Sequence, residues 1–219
     1  MLPIEVHLVP ALTHGRVLTR AAHAARSRGV LVGYHGYMEH AEIQMRRLEQ
    51  IPGASQWTLV SIQGLHRFYR GRSEEVVASW MTRQDRELAI ADNLAYVAAA
   101  LATVPHDDSG HVVHIGFSQG AAMGFRAAAR VPPAAAVVAV GGDVPPELHD
   151  DAAVRLPPVL LVRGDRDEWY TQTKLEADAA ALRARGVAVE SHVIRGGHEW
   201  SAAVAAVLGE FIEHGTAGT

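Results

Sequence analysis

The sequence contains no cysteine. This absence excludes a disulfide scaffold, a thiolate zinc site, an iron–sulfur cluster and a cysteine nucleophile. The chain also has no uncharged apolar stretch close to the roughly 20 residues that a membrane-spanning helix needs. Its first residues lack the basic and then apolar layout of a signal peptide. We therefore expect a cytoplasmic protein that does not span a membrane.

Lysine is almost absent as well. The 20 basic residues include one lysine, Lys174, and they face 24 acidic residues, so the formal net charge is −4. This balance and an isoelectric point near 6.3 argue against nucleic-acid binding driven by the phosphate charge. A short run at 66–72 combines arginine with aromatic residues. In a net acidic chain such a run is more typical of a pocket wall or an exposed loop than of a nucleic-acid site.

Histidine is plentiful by contrast, with 13 residues, so a metal site has to be considered from the spacing. His111 and His114 lie three apart on a predicted strand and therefore face opposite sides of a sheet. His35 and His40 flank a turn that also holds Glu39, and these three side chains could approach each other. No H-E-x-x-H or similar spacing occurs. We predict that the protein holds no metal.

Apolar runs and helical patterns alternate along the chain. Its 219 residues fit one domain that spans 1–219, and 48% hydrophobic with 20% charged residues is ordinary for a globular protein. Apolar runs rich in β-branched residues predict buried strands at 30–34, 57–62, 111–117, 136–140, 158–162 and 187–194. Helical spacing of apolar residues predicts helices at 39–50, 84–104, 119–130, 173–185 and 199–213. The alternation predicts a mostly parallel sheet with helices on both faces, a three-layer α/β sandwich.

Two segments depart from this alternation. Residues 8–20, with a Thr-His-Gly turn in the middle, are expected to form a leading antiparallel hairpin. Residues 64–79 form the longest stretch without a clear period and are expected to be an irregular loop. Such loops are commonly functional or mobile.

The segment Gly116-Phe117-Ser118-Gln119-Gly120 matches the pattern G-x-S-x-G. An apolar strand precedes it and an alanine-rich helix follows, which is the strand–turn–helix arrangement of a nucleophile elbow. The turn is sharp and neighbouring chains pack closely against it, so glycine is needed on either side. The serine then lies at the carboxyl edge of the sheet, where open α/β sheets bind ligands. We predict Ser118 as a nucleophile rather than as part of an ordinary Gly/Ser turn.

A serine is a weak nucleophile unless a base and an orienting carboxylate accompany it. The strand at 158–162 runs into Gly164-Asp165-Arg166-Asp167-Glu168, and the strand at 187–194 runs into Gly196-Gly197-His198. Both segments follow strands at the carboxyl edge, in the order serine, acid, histidine that accompanies a nucleophile elbow. We predict His198 as the base. Asp167 is favoured as the acid over Asp165, which could instead order the turn, and over Glu168.

A second backbone donor is expected after the strand at 30–34, where the sequence reads His35-Gly36-Tyr37. The oxyanion of a tetrahedral intermediate would lie between the backbone N–H groups of Tyr37 and Gln119, each aimed by the beginning of a helix. The alternative is that His35-Gly36 is simply the exit of a strand. Its position before the elbow favours the functional interpretation.

At these residues the sequence resembles the α/β-hydrolase superfamily, and within it the phospholipase/carboxylesterase family, which includes acyl-protein thioesterases. The matching pieces are His35-Gly36, Ser79-Trp80, Gly116-Phe117-Ser118-Gln119-Gly120, Gly164-Asp165-Arg166-Asp167 and Gly197-His198. The resemblance implies an α/β-hydrolase fold without a large cap domain and supports Asp167 as the triad acid. The chemistry it implies requires no metal or organic cofactor. A homodimer is an expectation at the level of the family.

The sequence departs from the family pattern at Glu168, where proline is usual, and at Tyr37-Met38-Glu39, where Leu-Gly-Asp is frequent. These differences bear on the acyl group rather than on the hydrolytic chemistry. The missing cysteine also separates the chain from the dienelactone hydrolase branch of the superfamily, whose nucleophile is cysteine. It leaves Ser118 as the candidate nucleophile.

The predicted function is hydrolysis of a carboxylic ester by a Ser-His-Asp triad through an acyl-enzyme, with a small-molecule ester or thioester as the substrate. An acyl thioesterase or a lysophospholipase of the same fold is an alternative. A non-catalytic binding protein on a hydrolase fold is an alternative of another class. Candidates for the substrate pocket, chosen by loop position, are Leu65, His66, Trp80, Met81 and Trp169.

Overall fold

Seven strands form one sheet in the computed structural model, which describes residues 4–24, 26–104, 111–151 and 153–214. The strands of this sheet are β1 (Arg16–Arg20), β2 (Val30–Tyr34), β3 (Thr58–Gln63), β6 (Val112–Phe117), β7 (Ala136–Val140), β8 (Val159–Gly164) and β9 (Val189–Ile194). A separate two-stranded sheet consists of β4 (His66–Tyr69) and β5 (Val76–Ser79). The helices are α1 (Ala41–Glu49), α2 (Arg86–Ala102), α3 (Gln119–Arg130), α4 (Pro146–Asp150), α5 (Gln172–Ala184) and α6 (Ala202–His214), and a 3-10 turn spans Ala54–Gln56.

The strand order in the large sheet is β1-β3-β2-β6-β7-β8-β9. All neighbours from β3 to β9 are parallel, and only the edge strand β1 runs antiparallel to its partner β3. Every residue of β2, β6, β7 and β8 is buried. Strands that are covered on both faces in this way read as continuous apolar runs, which is why the sequence predicted them well.

Helices cover both faces of the sheet. On one face, Leu31 of β2 packs in the same buried cluster as Leu48 of α1 and Leu208 of α6. On the other face, Val32 of β2 packs with Met123 of α3, and residues of α2 belong to the same cluster. Adjacent residues of a strand point to opposite faces, so the architecture is the predicted three-layer α/β sandwich. No helix among the described residues is long and apolar enough to cross a membrane.

The predicted leading hairpin at 8–20 is wrong in its first half. Only Arg16–Arg20 forms a strand, and its partner is β3, with Arg16 opposite Gln63. The preceding residues from Ile4 are exposed and form no strand. Pro10 has no N–H for a ladder, and Ile4, Val6 and Leu8 stay exposed. The backbone hydrogen bonds of β1 are therefore formed with β3 at the edge of the sheet, and no hairpin is needed.

The predicted irregular loop at 64–79 contains the β4–β5 hairpin. Phe68 lies opposite Val77, and Arg70 N–H donates to the carbonyl of Glu75 (2.9 Å) where the strands meet the turn. The arginines and exposed aromatic residues of this segment hide the alternation that would have indicated strands. An isolated bridge between Glu39 and Ala78 joins the hairpin to the loop after β2, so this segment is anchored beside the carboxyl edge of the sheet.

The connection from β6 to α3 is a single residue. Ser118 has φ 53° and ψ −121°, outside the regions that L-residues prefer. Its N–H donates to the carbonyl of Val140 (2.8 Å), which ties the turn to the next strand. A Cβ atom on Gly116 would overlap the backbone of Ala121, and one on Gly120 would overlap the carbonyl oxygens of Tyr34 and His35. These approaches explain the glycines of the G-x-S-x-G pattern.

The substitution Gly120→Ala should reduce the free energy of unfolding by about 3 kcal/mol or more, because the new methyl group meets fixed backbone atoms. Gly124→Ala, one turn further along α3, is the matched control. Its Cβ would lie 3.6 Å from Tyr34, an ordinary contact, and alanine should gain about 0.5–1 kcal/mol over glycine in the helix. Urea unfolding of both variants measures the difference. Equal stabilities of the two variants would contradict the close approach at Gly120.

Candidate active site

Three of the predicted site residues meet at the carboxyl edge of the sheet. Ser118 lies on the turn after β6, Asp167 on the loop after β8 and His198 on the loop after β9. His198 Nε2 lies 2.9 Å from Ser118 Oγ, and His198 Nδ1 lies 2.8 Å from Asp167 Oδ2. The Asp167 side chain is 1% exposed and that of His198 is 22% exposed. Two consecutive hydrogen bonds therefore connect a hydroxyl, an imidazole and a buried carboxylate.

Asp167 is held by its own loop. Its Oδ1 accepts hydrogen bonds from the backbone N–H groups of Trp169 (2.8 Å) and Tyr170 (2.9 Å), which leaves Oδ2 for His198. The buried guanidinium of Arg163, at the end of β8, donates to the carbonyls of Tyr170 (2.8 Å) and Asp167 (3.2 Å). Sequence reasoning did not identify Arg163. The available signal was an arginine at the end of an otherwise apolar strand.

The two rival carboxylates lie elsewhere. Asp165 Oδ1 accepts the backbone N–H of Gly196 (2.9 Å), and Arg166 N–H donates to the carbonyl of Gly196 (2.9 Å). The hydrogen bond from Gly196 holds the pKa of Asp165 below its usual range. Asp165 therefore joins the Asp167 loop to the His198 loop, a structural task of the kind that the sequence left open. Glu168 is exposed.

The predicted oxyanion donors lie on two anchored segments. Gly36 N–H donates to Glu39 Oε2 (2.7 Å) and Met38 N–H donates to the carbonyl of Ala78 (3.1 Å), so both neighbours of Tyr37 are fixed. Gln119 is the first residue of α3, where a backbone N–H has no partner within the helix. Within the described part of the chain, neither the N–H of Tyr37 nor that of Gln119 forms a hydrogen bond.

The side chain of Gln119 has a second task. Its Oε1 accepts the N–H of Trp80 (3.0 Å), and its Nε2 donates to the carbonyl of Met81 (3.0 Å). The Trp80 indole N–H donates to the carbonyl of His35 (2.8 Å). These bonds turn Trp80 into the core, where it is completely buried.

A cleft of about 310 Å³ opens beside Ser118 and His198. Among its lining residues are Arg86, Gln119, Arg126, Gly141, Asp143, Val144, Trp169 and Lys174. Of the five predicted pocket residues, only Trp169 lines this cleft. Trp80 and Met81 are buried, while Leu65 and His66 lie at the β4–β5 hairpin. The loop after β7 also lines the cleft, from Gly141 to Pro145, and sequence reasoning did not identify it.

The cleft carries more positive than negative charge. Lys174 Nζ pairs with Asp143 (3.0 Å), and the buried Arg126 donates from Nε to Glu147 (2.6 Å). The Arg86 side chain is exposed and, among the described residues, forms no hydrogen bond and no ion pair within 4 Å. Partial burial raises the pKa of Glu147, but the hydrogen bond from Arg126 and the charges of Arg126 and Arg86 outweigh it and lower that pKa. One positive charge is therefore left over at the cleft.

Two buried histidines lie behind the site. His35 Nε2 accepts the N–H of Gly64 (2.9 Å), so Nδ1 carries the proton that is donated to the carbonyl of Gly36 (2.7 Å). His114 Nδ1 lies 2.8 Å from the hydroxyl of Tyr34. Burial lowers the pKa of each imidazole to about 4. Both are neutral near pH 7.

The structure does not bring His35, Glu39 and His40 to a common point. The two nitrogens of His35 are used as just described, and His40 Nδ1 lies 2.9 Å from Glu42 Oε2. Glu39 accepts from Arg47 instead. Among the described residues, no group of three histidine, aspartate or glutamate side chains is arranged to hold a metal ion.

The dienelactone hydrolase family model matches residues 67–201, more than half of the chain. The chain therefore belongs to the dienelactone hydrolase family. The match includes Ser118, Asp167 and His198, so the prediction that the missing cysteine separates the chain from this branch was wrong. This chain matches the family model although it has serine at the elbow. A sequence search of curated proteins finds no match.

Solved structures with the same fold are similar over nearly the whole chain. Esterase PE8 has a TM-score of 0.73 at 22% identity, covering 92% of this chain and 99% of its own. Acyl-protein thioesterase 2 from Zea mays has a TM-score of 0.71 at 18% identity, covering 93% and 100%. The Bacillus cereus carboxylesterase has a TM-score of 0.65 at 17% identity, covering 92% and 94%. These likenesses show the α/β-hydrolase fold and, with the family match, bear out the resemblance read from the sequence.

The free energy of unfolding should fall as the pH is lowered from about 6.5 to 4. Unfolded histidine binds a proton near pH 6.5, whereas folded His35 and His114 bind one only near pH 4. The unfolded chain therefore holds more protons in this window, and each histidine should cost about 2 kcal/mol between pH 7 and pH 5. Urea unfolding at the two pH values measures the loss. His114→Gln should reduce the pH-dependent part by about half. An unchanged pH dependence in that variant would refute the assignment.

Proposed function

We propose that the chain is a serine hydrolase that cleaves small-molecule carboxylic esters through a covalent acyl-enzyme, and that 1–219 forms one α/β-hydrolase domain. The observation that carries this proposal is the line of hydrogen bonds from Ser118 Oγ to His198 Nε2 (2.9 Å) and from His198 Nδ1 to Asp167 Oδ2 (2.8 Å). Membership of a hydrolase family adds support. The site's position at the carboxyl edge of a parallel sheet is where such folds bind ligands.

In the proposed reaction, Ser118 Oγ attacks the ester carbonyl while His198 Nε2 takes the hydroxyl proton. Asp167 holds the imidazole through Nδ1 and stabilises the cation that forms. The alkoxide leaves with the proton that His198 returns, and the acyl group stays on Ser118. Water then attacks the acyl-enzyme with His198 again as the base, which releases the acid and restores the hydroxyl.

The oxyanion of each tetrahedral intermediate would accept hydrogen bonds from the N–H groups of Tyr37 and Gln119. Two observations favour these donors. Neither N–H bonds to another described residue, and Gln119 is the first residue of α3, whose dipole favours negative charge. Donors that are held in place before the reaction stabilise the transition state more than the substrate.

An acyl thioesterase is the second candidate, because the same triad chemistry cleaves thioesters and a thioesterase is among the similar structures. A lysophospholipase would need room for a long acyl chain, and a cleft of about 310 Å³ lined by charged residues favours smaller substrates. Fold alone does not exclude a non-catalytic binding protein, but the hydrogen-bonded arrangement of Ser118, His198 and Asp167 favours a hydrolase over it.

The charge of the cleft favours an ester that also carries a carboxylate. The Arg86 side chain lies at the wall of the cleft and, among the described residues, forms no ion pair within 4 Å, and Arg126, which also lines the cleft, is buried. An anionic group placed against Arg86 would complete the charge balance of the cluster with Arg126 and Glu147. A hydrogen bond to a charged group contributes about 1.5–3 kcal/mol, which is roughly a tenfold to hundredfold preference over a neutral isostere.

Three substitutions test the triad with p-nitrophenyl esters as substrates. Ser118→Ala should abolish nearly all turnover and all labelling by a fluorophosphonate probe. Asp167→Asn should lower kcat by a factor on the order of 10³–10⁴, because the base loses its orienting carboxylate. Asp165→Asn is the matched control and should cost less than about tenfold, since its side chain accepts from Gly196 rather than from His198. Full activity of Ser118→Ala, or a larger loss at Asp165, would refute the assignment.

Monoethyl succinate should be hydrolysed with a higher kcat/KM than ethyl levulinate, its neutral isostere, and ethyl 4-aminobutanoate should be the poorest of the three. Arg86→Ala should remove most of this preference and lower the ratio of kcat/KM for monoethyl succinate to kcat/KM for ethyl levulinate by about tenfold. Arg83→Ala removes a nearby exposed arginine that does not line the cleft and should leave the ratio unchanged. A ratio near one in the unmodified protein would exclude the anionic preference while leaving the hydrolase proposal intact.

A further inference from the structure

An ion pair lies behind the candidate site, away from the cleft. Arg47 of α1 donates to Glu39 in a fork, with Nη1 2.6 Å from Oε2 and Nη2 2.7 Å from Oε1. The side chains are only 12% and 17% exposed. A two-pronged pair that is shielded from water holds a well-defined geometry. Burial raises the pKa of Glu39, but the bonds and charge of Arg47 outweigh it, so the pKa is lowered and the carboxylate stays ionised.

Glu39 in turn holds the backbone of the loop between β2 and α1. Its Oε2 accepts the N–H of Gly36 (2.7 Å), and a Cβ at Gly36 would lie 3.0 Å from the same oxygen. Gly36 immediately precedes Tyr37, whose N–H is the proposed oxyanion donor. The Tyr37 N–H shares a peptide plane with the carbonyl of Gly36, which accepts from His35 Nδ1 (2.7 Å). The direction of that N–H is therefore set by this bond together with the carboxylate that Arg47 keeps in place.

The same guanidinium also contacts Phe117, the residue before Ser118. Its carbon lies 4.1 Å from the centre of the Phe117 ring, a cation–π distance. Phe117 immediately precedes Ser118, and its ring centre lies 5.1 Å from that of His198 at an angle of 39°. Arg47 also lies 5.7 Å from the ring of Trp200, two residues after His198. One side chain therefore contacts the supports of the oxyanion donor and of the base.

We infer that Arg47 is a positioning residue for the proposed ester hydrolysis: through Glu39 it aims the Tyr37 N–H, and through Phe117 it holds the His198 ring against Ser118. Arg47 is not among the residues that line the cleft, so it acts through its neighbours and not on the substrate. The inference rests on the proposed function. A group that aims an oxyanion donor acts mainly on the transition state, so its loss should appear in kcat more than in KM.

Arg47→Met keeps the length of the side chain and removes the fork. It also leaves the shielded carboxylate of Glu39 without a partner, which by itself destabilises the fold. The double variant Glu39→Gln/Arg47→Met removes both charges and serves as the stability control. Arg46→Met removes the neighbouring exposed arginine of α1 and serves as the surface control. Arg47→Lys keeps a charge but not the two-pronged geometry.

We expect Arg47→Met and the double variant to lower kcat for a p-nitrophenyl ester by about 10–100-fold, with KM changed less than about threefold. A trifluoromethyl ketone, which forms an oxyanion on Ser118, should bind both variants more weakly by the same factor as the loss in kcat/KM. Arg47→Lys should recover only part of kcat, and Arg46→Met should match the unmodified protein.

A folded double variant with unmodified kcat would overturn the inference, because the role of Arg47 would then be stability alone. A loss confined to KM would overturn it too. Either result leaves the proposed function standing as long as fluorophosphonate still labels Ser118 in the unmodified protein. Absence of that labelling is instead the failure of the proposed function.

Discussion

The strained turn at Ser118 is the constraint on which the rest of the structure depends. A single residue at φ 53° reverses the chain between a buried strand and a helix, and it can do so only because Gly116 and Gly120 allow backbone to meet backbone. Strain of this kind costs about 1–3 kcal/mol and persists only where the surroundings impose it. Here they do, since β6 is buried between two parallel neighbours and Ser118 N–H is bonded to the next strand. The hydroxyl is consequently presented at the sheet edge without a flexible loop.

The other two loops of the site are fixed by polar side chains, not by packing alone. Asp165 bonds the loop after β9 to the loop after β8, Arg163 holds the carbonyls of the Asp167 loop, and Gln119 bonds the segment at Trp80 to the elbow. Each bond joins a side chain to a backbone group: Asp165 and Gln119 reach separate segments, and Arg163 reaches the loop that follows its own strand. Loops connected in this way lose their conformational entropy when the chain folds, so no further ordering is needed when a ligand binds. Such a site is preorganised.

Much of this could be predicted from the sequence, for a physical reason. Central parallel strands are buried on both faces, so 30–34 and 136–140 read as unbroken apolar runs and were placed without error. The elbow and the order of Ser118, Asp167 and His198 follow from topology, since parallel strands bring successive loops to one edge. The pocket could not be predicted in the same way. Trp80 is oriented by two hydrogen bonds that it donates, from its backbone N–H to Gln119 and from its indole N–H to the carbonyl of His35, 39 and 45 residues away in sequence. No local pattern encodes such contacts. Arg163 was missed because its partners are backbone carbonyls. Arg47 was missed because its partner Glu39 lies before α1, outside the regular spacing of the helix.

A serine at this elbow makes heavier demands on its neighbours than a cysteine would. A thiol is a few per cent ionised at neutral pH and intrinsically nucleophilic, whereas an alcohol is not and must be deprotonated as it attacks. For the proposed reaction, the position of the base is therefore the variable that decides the rate. The supporting contacts are distributed accordingly. Asp167 and Phe117 contact the His198 ring directly. Three further residues act through one group each: Arg163 through Asp167, Asp165 through Gly196 and Arg47 through Phe117. Ser118 itself is held by its strained backbone. That division, backbone strain at Ser118 and hydrogen bonds that hold the loops of Asp167 and His198, describes how a chain without cysteine belongs to this family and keeps a hydroxyl, an imidazole and a carboxylate in hydrogen-bond contact.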